Sequence, residues 1–320
     1  MMKTIGVLTS GGDAPGMNAV IRAVVRTAVS KGMTVKGIRR GYNGLIEGDV
    51  IDLDVRSVSD IIHRGGTFLY TARSPRFKTE EGIQEAIANC KKFGIEGIVV
   101  IGGDGSYRGA RDLSERGIPC VGVPCTIDND ISSTDYTIGF DTAMNTAMCM
   151  VDRIRDTAQS HDRCSVVEVM GRRAGYIALQ SGIAVGATAV LVPEIETPIE
   201  EVIAKIQAAQ KTGKQHFIII VAEGVGGVDN IAKQIQDATG IDSRATVLGH
   251  VQRGGSPTVR DRVIATQMGY AAVQLLSESI GNRVICWHGG EITNEDIFTA
   301  LNMVKPFDVD MLEVAHTTSI

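Results

Sequence analysis

The segment at residues 123–131, VPCTIDNDI, places side chains capable of acid–base chemistry directly after an apolar run. The run ends at Pro124, and a thiol, a hydroxyl, two carboxylates and an amide follow within six residues. Thr, Asp and Asn after a strand are typical of a turn with N-capping side chains. A carboxylate at a strand end can also accept a proton from an attacking hydroxyl, with Thr126 helping to hold it. The segment is therefore a turn or a catalytic site.

Two glycine-rich segments have the composition of phosphate-binding loops. SGGDAPGMN, which contains Gly12, offers backbone N–H groups at a predicted helix start, where an anion is favoured, although no Walker A sequence follows. In GGDGS, Gly103, Gly105 and Ser106 flank Asp104, which could face a magnesium ion bound to a polyphosphate. Each segment could also be an ordinary strand-to-helix turn, with Asp104 as an N-cap.

Arginines occur at other predicted strand ends and could balance the charge of several phosphates. Arginine suits bidentate phosphate binding, whereas a solvated surface residue is the alternative for each one taken singly. The five arginines on these motif-bearing loops are Arg73, Arg163, Arg172, Arg244 and Arg253.

The elements that must position these residues follow a repeating pattern of short apolar runs and longer helical stretches. Runs such as TIGVLTS, EGIVVIG, IPCVGVP, CSVVEV, TAVLVPE and HFIIIVA are rich in Val and Ile, and most end in or beside Gly. This alternation predicts parallel strands covered on both faces, in an α/β protein with two doubly wound sheets. In such sheets ligands bind beyond the carboxyl ends of the strands, where all the segments above lie.

Composition restricts the class of function. The 320 residues suffice for one large or two moderate domains, and 32 basic against 37 acidic residues give a net charge of -5. That balance favours neither nucleic acid nor an anionic membrane surface as a partner. No apolar run approaches a membrane span or a signal sequence, so a cytoplasmic protein is expected. The six cysteines lack C-x-x-C spacing, which favours reduced thiols over disulfides or zinc.

The ordered set SGGDAPGMN, GGDGS, PxTIDND, MGRxxG, AEG and LGHxQRGGSP resembles the bacterial ATP-dependent 6-phosphofructokinase family over nearly the whole chain. The resemblance implies transfer of a phosphoryl group from MgATP to the 1-hydroxyl of fructose 6-phosphate, a step of glycolysis. It also implies a homotetramer with the active site in the cleft between two Rossmann-like domains. The larger, ATP-binding domain would comprise residues 1–139 and 252–303, and the smaller, sugar-phosphate-binding domain residues 140–251 and 304–320.

The resemblance also assigns roles to individual residues. Asp128 would be the base, supported by Thr126 and Asp130, with Arg73 and Arg172 steadying charge on the transferring group. Residues implied on the ATP side are Gly12, Tyr42, Arg73, Gly103, Asp104, Gly105 and Ser106, with Asp104 on magnesium. Residues implied on the sugar side are Thr126, Asp128, Met170, Gly171, Arg172, Glu223, His250 and Arg253, with Arg163 and Arg244 reaching in from a neighbouring subunit.

Several positions depart from the family pattern. Gly105 and Cys125 replace the second Asp and the Lys of pyrophosphate-using relatives, which favours ATP as donor, and Cys125 is expected at the site. Tyr176 and Arg76 replace a common Asp and Glu at the rim of the implied site.

A second phosphate site for ADP or phosphoenolpyruvate is also implied by the resemblance. Its matching residues are Arg22, Arg26, Arg155, Gly186, Lys214 and His216. Val55, Thr188, Thr212 and Gln215 stand where relatives carry charged residues, so a weakened effector response is expected.

Two other functions remain open at this point. NAD kinases and lipid kinases also use GGDG for ATP, but TIDND and LGHxQRGGSP have no place in them. A non-catalytic sugar-phosphate-binding regulator could share the architecture, but it would not need Asp104 and Asp128 together.

Overall fold

The apolar runs predicted as strands form strands, and the helical stretches between them form helices, in a computed structural model that describes residues 2–319. The strands are β1 (Thr4–Ser10), β2 (Thr34–Ile38), β3 (Val50–Leu53), β4 (Gly97–Gly102), β5 (Cys120–Pro124), β6 (Cys164–Val169), β7 (Ala189–Leu191), β8 (Phe217–Ala222), β9 (Ser243–Val247), β10 (Arg283–His288) and β11 (Glu291–Asp296). The helices are α1 (Met17–Ser30), α2 (Tyr42–Glu47), α3 (Glu80–Lys92), α4 (Asp104–Ser114), α5 (Phe140–Ser160), α6 (Tyr176–Ala184), α7 (Ile199–Lys211), α8 (Val228–Thr239), α9 (Val259–Ser277), α10 (Ile297–Ala300) and α11 (Val309–Thr317).

The chain divides into two compact units. The first extends to Ile127 and adds Ile131–Thr142 and Arg253–Lys305. The second contains Asp128–Asp130, Ala143–Gln252 and the chain from Pro306 onward. Each unit has its own sheet.

In the first unit the described residues form a seven-stranded sheet in the order β11-β10-β5-β4-β1-β2-β3. The pairs from β10 through β5, β4 and β1 to β2 are parallel. Every residue of β4 is buried, as expected for a strand covered on both faces. The predicted parallel sheet is confirmed at its centre, whereas the two edge strands, β3 and β11, are antiparallel to their neighbours.

The antiparallel edge strand β11 arises from a tight hairpin. His288 pairs with Glu291, which leaves Gly289 and Gly290 as the two turn residues. Both have positive φ, of 57° and 97°, and glycine adopts such angles without steric cost. A two-residue connection of this kind cannot make a parallel crossover, so β11 reverses direction.

The sheet of the second unit is parallel throughout, in the order β7-β8-β6-β9 among the described residues. All six residues of β8, FIIIVA, are buried. This confirms the second parallel α/β sheet that the sequence predicts. Within residues 2–319 no helix combines the length and apolar character that crossing a membrane requires.

The register of the strands places the predicted motifs side by side. In the first unit Ser10 of β1 pairs with Gly102 of β4, and Gly102 pairs with Pro124 of β5. In the second unit Val169 of β6 pairs with Ala222 of β8. Residues that follow these strands therefore emerge next to one another at the carboxyl edge of each sheet.

Candidate active site

The loop after β1 and the loop after β4 are joined by a buried hydrogen bond. The Ser106 hydroxyl donates to the Ser10 carbonyl oxygen at 3.0 Å. A Cβ atom on Gly102 would lie 2.5 Å from that same carbonyl oxygen and 2.4 Å from the Ser106 Oγ. At position 102 only glycine leaves room for this contact. At Gly105, by contrast, no atom lies within 4 Å of the position that a Cβ atom would occupy. The loop is thus tightly packed beneath and open at Gly105.

Helix α4 begins inside the GGDGS loop and offers N–H groups to a ligand. Its N-cap, Gly103, supplies no side-chain hydrogen bond, so no side chain from that position competes for the first-turn donors. Unpaired donors and the helix dipole at such a terminus favour an anion such as phosphate. The geometry suits a polyphosphate approaching the backbone at Gly103–Ser106.

Asp104 is the carboxylate of this loop and is partly exposed at the helix start. It accepts a hydrogen bond from Arg108 Nε at 3.0 Å, one helical turn away. Among residues 2–319, no three or more His, Cys, Asp and Glu side chains are grouped to hold a metal ion. Magnesium prefers one or two carboxylates plus phosphate oxygens to an all-protein cage, so a single carboxylate beside a phosphate loop fits this ion.

Tyr42 lies beneath the same loop. Its side chain is 4 % exposed, its hydroxyl donates to the Ser106 carbonyl oxygen at 2.6 Å, and its ring stacks on Phe77 with centroids 4.1 Å apart. Burial raises the pKa of the Tyr42 hydroxyl well above its ordinary value. From this position Tyr42 supports the backbone of the loop.

Two arginine-bearing segments lie along the SGGD loop. Arg253 Nη1 donates to the Asp13 carbonyl oxygen at 3.2 Å, and a Cβ atom on Gly12 would lie 2.8 Å from that nitrogen. The segment before Arg73 contacts the same loop, because the Gly11 N–H donates to the Ala72 carbonyl oxygen at 3.5 Å. The structure thus brings Gly12 and Arg253 together and leaves the Arg73 side chain exposed nearby.

The TIDND segment directly follows β5, whose neighbour β4 ends in GGDG. Thr126 is partly buried, and its carbonyl oxygen accepts a hydrogen bond from the Thr137 hydroxyl at 2.7 Å. Asp128 is 6 % exposed, Asp130 is half-buried, and Asn129 has a φ of 52°, which Asn tolerates better than most residues. The segment is therefore a turn, and the turn carries two carboxylates at the carboxyl edge.

Asp261 is a buried carboxylate that the motif analysis did not single out. Its Oδ1 accepts from the Tyr136 hydroxyl at 2.5 Å and the Gly139 N–H at 2.8 Å, and its Oδ2 from the Thr142 hydroxyl at 2.5 Å and N–H at 2.9 Å. Burial raises the pKa of Asp261, and these hydrogen bonds oppose the shift. The Thr258-x-x-Asp261 spacing, a helix-start signature, was the available sequence signal.

Asp261 thereby fixes the position of residues 136–142, which in turn contact the start of the TIDND segment. The segment it binds, residues 136–142, includes Thr137, which donates to Thr126, and Ile138, whose N–H donates to the Pro124 carbonyl oxygen at 3.0 Å. The carboxylate therefore acts on the TIDND backbone through this segment.

In the second unit, the residues after β6 and β8 meet. The Arg172 N–H donates to Glu223 Oε2 at 3.0 Å, and the Met170 N–H donates to the Gln252 side chain at 3.3 Å. Gly171 has a φ of 141° and Arg172 a φ of 60°, an uncommon angle for a residue with a side chain. The Arg172 backbone thus contacts the Glu223 carboxylate, and the Arg172 side chain is exposed.

Arg163 and Arg244 converge on one carboxylate. Arg163 Nε lies 2.7 Å from Asp242 Oδ2, and Arg244 Nε lies 3.0 Å from Asp242 Oδ1. Hydrogen bonds from Arg163 and then Arg244 lower the pKa of Asp242. The two arginines thus form a paired cationic site, with Arg163 directly before β6 and Arg244 on β9, and His250 lies exposed shortly after β9.

The residues implied for an effector form two groups. In the second unit Arg155 donates to the Val185 carbonyl oxygen beside Gly186, and burial together with the charge of Arg155 lowers the pKa of Lys214. His216 is half-buried close to Lys214 in sequence. In the first unit Arg22 and Arg26 lie one turn apart on α1.

The structure shows the burial or the hydrogen-bond partner of three residues that depart from the family pattern. Cys125 is 1 % exposed, and burial raises its pKa well above the ordinary value, so the thiol is shielded from solvent; its expected place at the site stays a prediction. Arg76 binds Glu85, with Nη2 2.7 Å from Oε1. The Tyr176 hydroxyl donates to the Pro306 carbonyl oxygen at 3.3 Å, and burial raises its pKa to about 12.

Comparison with known proteins identifies the family. The phosphofructokinase family model matches residues 4–276. The chain is 56% identical over 319 residues to an ATP-dependent 6-phosphofructokinase of Bacillus licheniformis, with 100% of both chains covered. The chain belongs to the phosphofructokinase family. A second such relative, from Bacillus pumilus, is 55% identical over 319 residues with the same coverage.

Solved phosphofructokinases share this fold. The structure of phosphofructokinase from Saccharomyces cerevisiae matches with a TM-score of 0.89 and 34% identity, covering 99% of this chain, which spans 48% of the yeast chain. A pyrophosphate-dependent phosphofructokinase from Marinobacter aquaeolei matches with a TM-score of 0.86 at 22% identity, covering 98% of this chain and 91% of that one. The latter likeness concerns the phosphofructokinase fold alone.

Proposed function

We propose that this chain transfers the γ-phosphoryl group of MgATP to the 1-hydroxyl of fructose 6-phosphate, giving fructose 1,6-bisphosphate and ADP in glycolysis. Full-length relatives named ATP-dependent 6-phosphofructokinase support this reaction. The structural observation that carries it is the pairing of β4 with β5, because the GGDG loop and the TIDND segment follow these neighbouring strands. A phosphate loop and a candidate base thereby emerge at one edge of the sheet.

The ATP side of the proposed site is built from the loops after β1 and β4. The backbone at Gly12, Gly103 and Ser106 would bind phosphate oxygens, with Tyr42 supporting the loop and Arg73 adding positive charge. The open space at Gly105 favours a nucleotide, since a carboxylate there would crowd and repel it. Asp104 would hold Mg2+, and the ion would neutralise charge on the transferring phosphoryl group.

The sugar side of the proposed site centres on Asp128. This carboxylate would take the proton of the attacking hydroxyl, with Thr126 and Asp130 helping to hold acceptor and sugar. The backbone at Met170 and Gly171, together with the side chains of Arg172, Glu223, His250 and Arg253, would bind the sugar phosphate. Arg73 and Arg172 would steady the charge that develops on the transferring group.

We further propose that the two units divide the substrates between them. The first would be the ATP-binding domain, predicted at residues 1–139 and 252–303. The second would be the sugar-phosphate-binding domain, predicted at residues 140–251 and 304–320. The paired cationic site of Arg163 and Arg244 would serve the active site of a neighbouring subunit in a homotetramer, and the protein would act in the cytoplasm.

A coupled assay of the purified protein tests the proposed reaction. We expect fructose 6-phosphate to be consumed with ATP and Mg2+ as donor and cofactor, and activity with pyrophosphate to be far lower. Comparable activity with both donors would contradict the interpretation of Gly105. No consumption with ATP would instead favour a non-catalytic sugar-phosphate-binding protein.

We also propose that Arg22 and Arg26 of α1, with the cations of the second unit, bind an effector weakly. Val55 is exposed, Thr188 is buried, and Thr212 is exposed, and none of the three adds charge. Each missing charge-assisted hydrogen bond would cost about 1.5–3 kcal/mol. We expect shallow inhibition by phosphoenolpyruvate and ADP activation that depends little on metal. A strong shift of the fructose 6-phosphate saturation curve to a sigmoid at millimolar phosphoenolpyruvate would contradict this.

A further inference from the structure

The motif SGGDAPGMN ends in Asn18, a residue with no part in the proposed chemistry. Asn18 is the second residue of α1 and is fully buried, so its amide does not face a substrate. Its Nδ2 donates to the carbonyl oxygens of Arg64 at 3.1 Å and Gly66 at 2.7 Å, and its Oδ1 accepts from the Phe68 N–H at 2.9 Å. Both donors and the acceptor of the amide are therefore used on the backbone of one segment, residues 64–68.

This segment belongs to a long connection that must be held by other parts of the chain. Within the described chain, residues 54–75, between β3 and the short 3-10 turn at Arg76–Lys78, contain no strand or helix. Connections longer than about 12–15 residues without secondary structure are uncommon and are usually functional or disordered. Arg73, near the end of this connection, is exposed, and its carbonyl oxygen accepts from Asn43 Nδ2 at 3.4 Å, which is longer than a usual hydrogen bond. The place of Arg73 thus depends on how the preceding residues are held.

Strand β1 and its loop hold the residues that follow this segment. The Thr9 hydroxyl donates to the Tyr70 carbonyl oxygen at 2.8 Å, and the Thr71 hydroxyl donates to the Gly11 carbonyl oxygen at 2.9 Å. Tyr70 has a φ of 56°, an angle that costs free energy in a residue with a side chain and persists only where the surroundings hold it. Residues 64–72 are therefore held along their length by α1 and by β1 with its loop.

We propose that Asn18 is a positioning residue for phosphoryl transfer. By holding residues 64–68 it fixes the backbone that leads into Arg73, and so it sets where the Arg73 guanidinium can meet the transferring phosphoryl group. The inference rests on the role proposed above for Arg73. A group that stabilises developing charge must be held in place, and a displacement of about 1 Å can lower a rate about a hundredfold. Asn18 therefore acts on turnover through Arg73, without contacting either substrate.

The change Asn18→Asp tests this role in the full-length protein. It keeps the oxygen that accepts from Phe68 but places a second oxygen against the carbonyl oxygens of Arg64 and Gly66, so both donated hydrogen bonds are lost. We expect turnover with ATP to fall about tenfold or more. The KM for fructose 6-phosphate should stay within about twofold of the parent, because residues 64–68 lie on the ATP side. If this variant does not fold, Asn18→Ala, which adds no charge, carries the same expectation.

Asn89→Asp is the matched control. Asn89 Nδ2 also donates to two carbonyl oxygens, those of Leu45 at 2.9 Å and Ile46 at 2.7 Å, so this variant loses the same kind of bonds in the last turn of α2. Its turnover should stay within about twofold of the parent. In an Arg73→Ala background, Asn18→Asp should lower turnover by less than about twofold, because the group through which it acts is gone. A further loss as large as in the parent background would overturn the proposal.

Limited proteolysis gives a readout that does not need activity. Trypsin should cleave after Arg64 and Arg73 faster in Asn18→Asp than in the parent or in Asn89→Asp. A parent without ATP-dependent turnover would overturn the proposed reaction and with it the catalytic role of Asn18. With an active parent, unchanged cleavage and turnover in Asn18→Asp would overturn the role of Asn18 alone. Equal losses of turnover in Asn18→Asp and Asn89→Asp would show general destabilisation and would also overturn it.

Discussion

The buried carboxylate of Asp261 gives the sharpest stability prediction, through the conservative change Asp261→Asn. Both oxygens of this carboxylate accept hydrogen bonds, and each accepts one from a backbone N–H, that of Gly139 or that of Thr142. An asparagine has one oxygen and one NH2 group, so in either orientation a backbone N–H faces a donor. The Tyr136 and Thr142 hydroxyls can rotate, but a backbone N–H cannot.

The magnitude follows from these contacts. The variant loses a hydrogen bond to a charged group and leaves a buried donor unsatisfied, each of which costs about 1–3 kcal/mol. We expect the free energy of unfolding to fall by about 3 kcal/mol. Asp296→Asn is the matched control: Asp296 Oδ1 alone accepts from the N–H groups of Phe298 and Thr299, both at 3.0 Å, so an asparagine retains the cap. Its cost should be about 0.5 kcal/mol or less.

The chain's single tryptophan, Trp287 on β10, reports on the unit that contains both positions. Urea unfolding followed by Trp287 fluorescence, at one protein concentration, would measure both variants against the parent. With slopes of about 1–3 kcal/mol per molar urea, the Asp261→Asn midpoint should fall by about 1 M or more. A shift no larger than that of Asp296→Asn would refute the hydrogen-bond argument.

Three further outcomes are expected. Asp128→Asn should lower turnover by about a hundredfold or more while fructose 6-phosphate still binds, as measured by steady-state kinetics and equilibrium binding; near-normal turnover would exclude Asp128 as the base. Co-expression of Asp128→Asn chains with inactive Arg244→Ala chains should recover activity through hybrid sites, and verified mixed oligomers without activity would argue against shared sites. Alkylation mapped by mass spectrometry should modify the exposed Cys149 rapidly and the buried Cys125 slowly, with or without substrates; rapid ligand-sensitive labelling of Cys125 would contradict its burial.

The adjacency of the GGDG loop and the TIDND segment was predictable from the sequence. Runs such as the one ending at Gly102 are apolar at every position, which indicates strands covered on both faces. Parallel strands of this kind present their carboxyl ends at one edge, so the residues after them meet whatever the details of packing. The structure agrees with this rule, because Gly102 and Pro124, the last residues of β4 and β5, pair with each other.

Side-chain direction and distant partners were not predictable from the sequence. Because β5 is buried on both faces, the alternation of side chains gives no sign of which way Cys125 points. Asp261 binds Tyr136 and Thr142, which lie more than a hundred residues earlier in the chain, and no local pattern encodes such a contact. The antiparallel edge strand β11 likewise lacks the helical connection on which the α/β prediction rested, whereas β3 is antiparallel to β2 although the short helix α2 joins them.

The sharing of Asp242 by two arginines explains how a cationic pair can exist before its proposed ligand arrives. Arg163 and Arg244 would repel each other if both faced solvent without an anion, and the Asp242 carboxylate between them removes that repulsion. The Asp242 side chain is 40 % exposed, so water and salt screen its attraction for the two guanidinium groups. A sugar phosphate carries more charge and more acceptor oxygens than one carboxylate, so the proposed ligand would compete with Asp242 for both arginines. The hydrogen bonds from the two arginines lower the pKa of Asp242, so the carboxylate stays ionised and the pair stays assembled until the pH falls below the ordinary range of an aspartate.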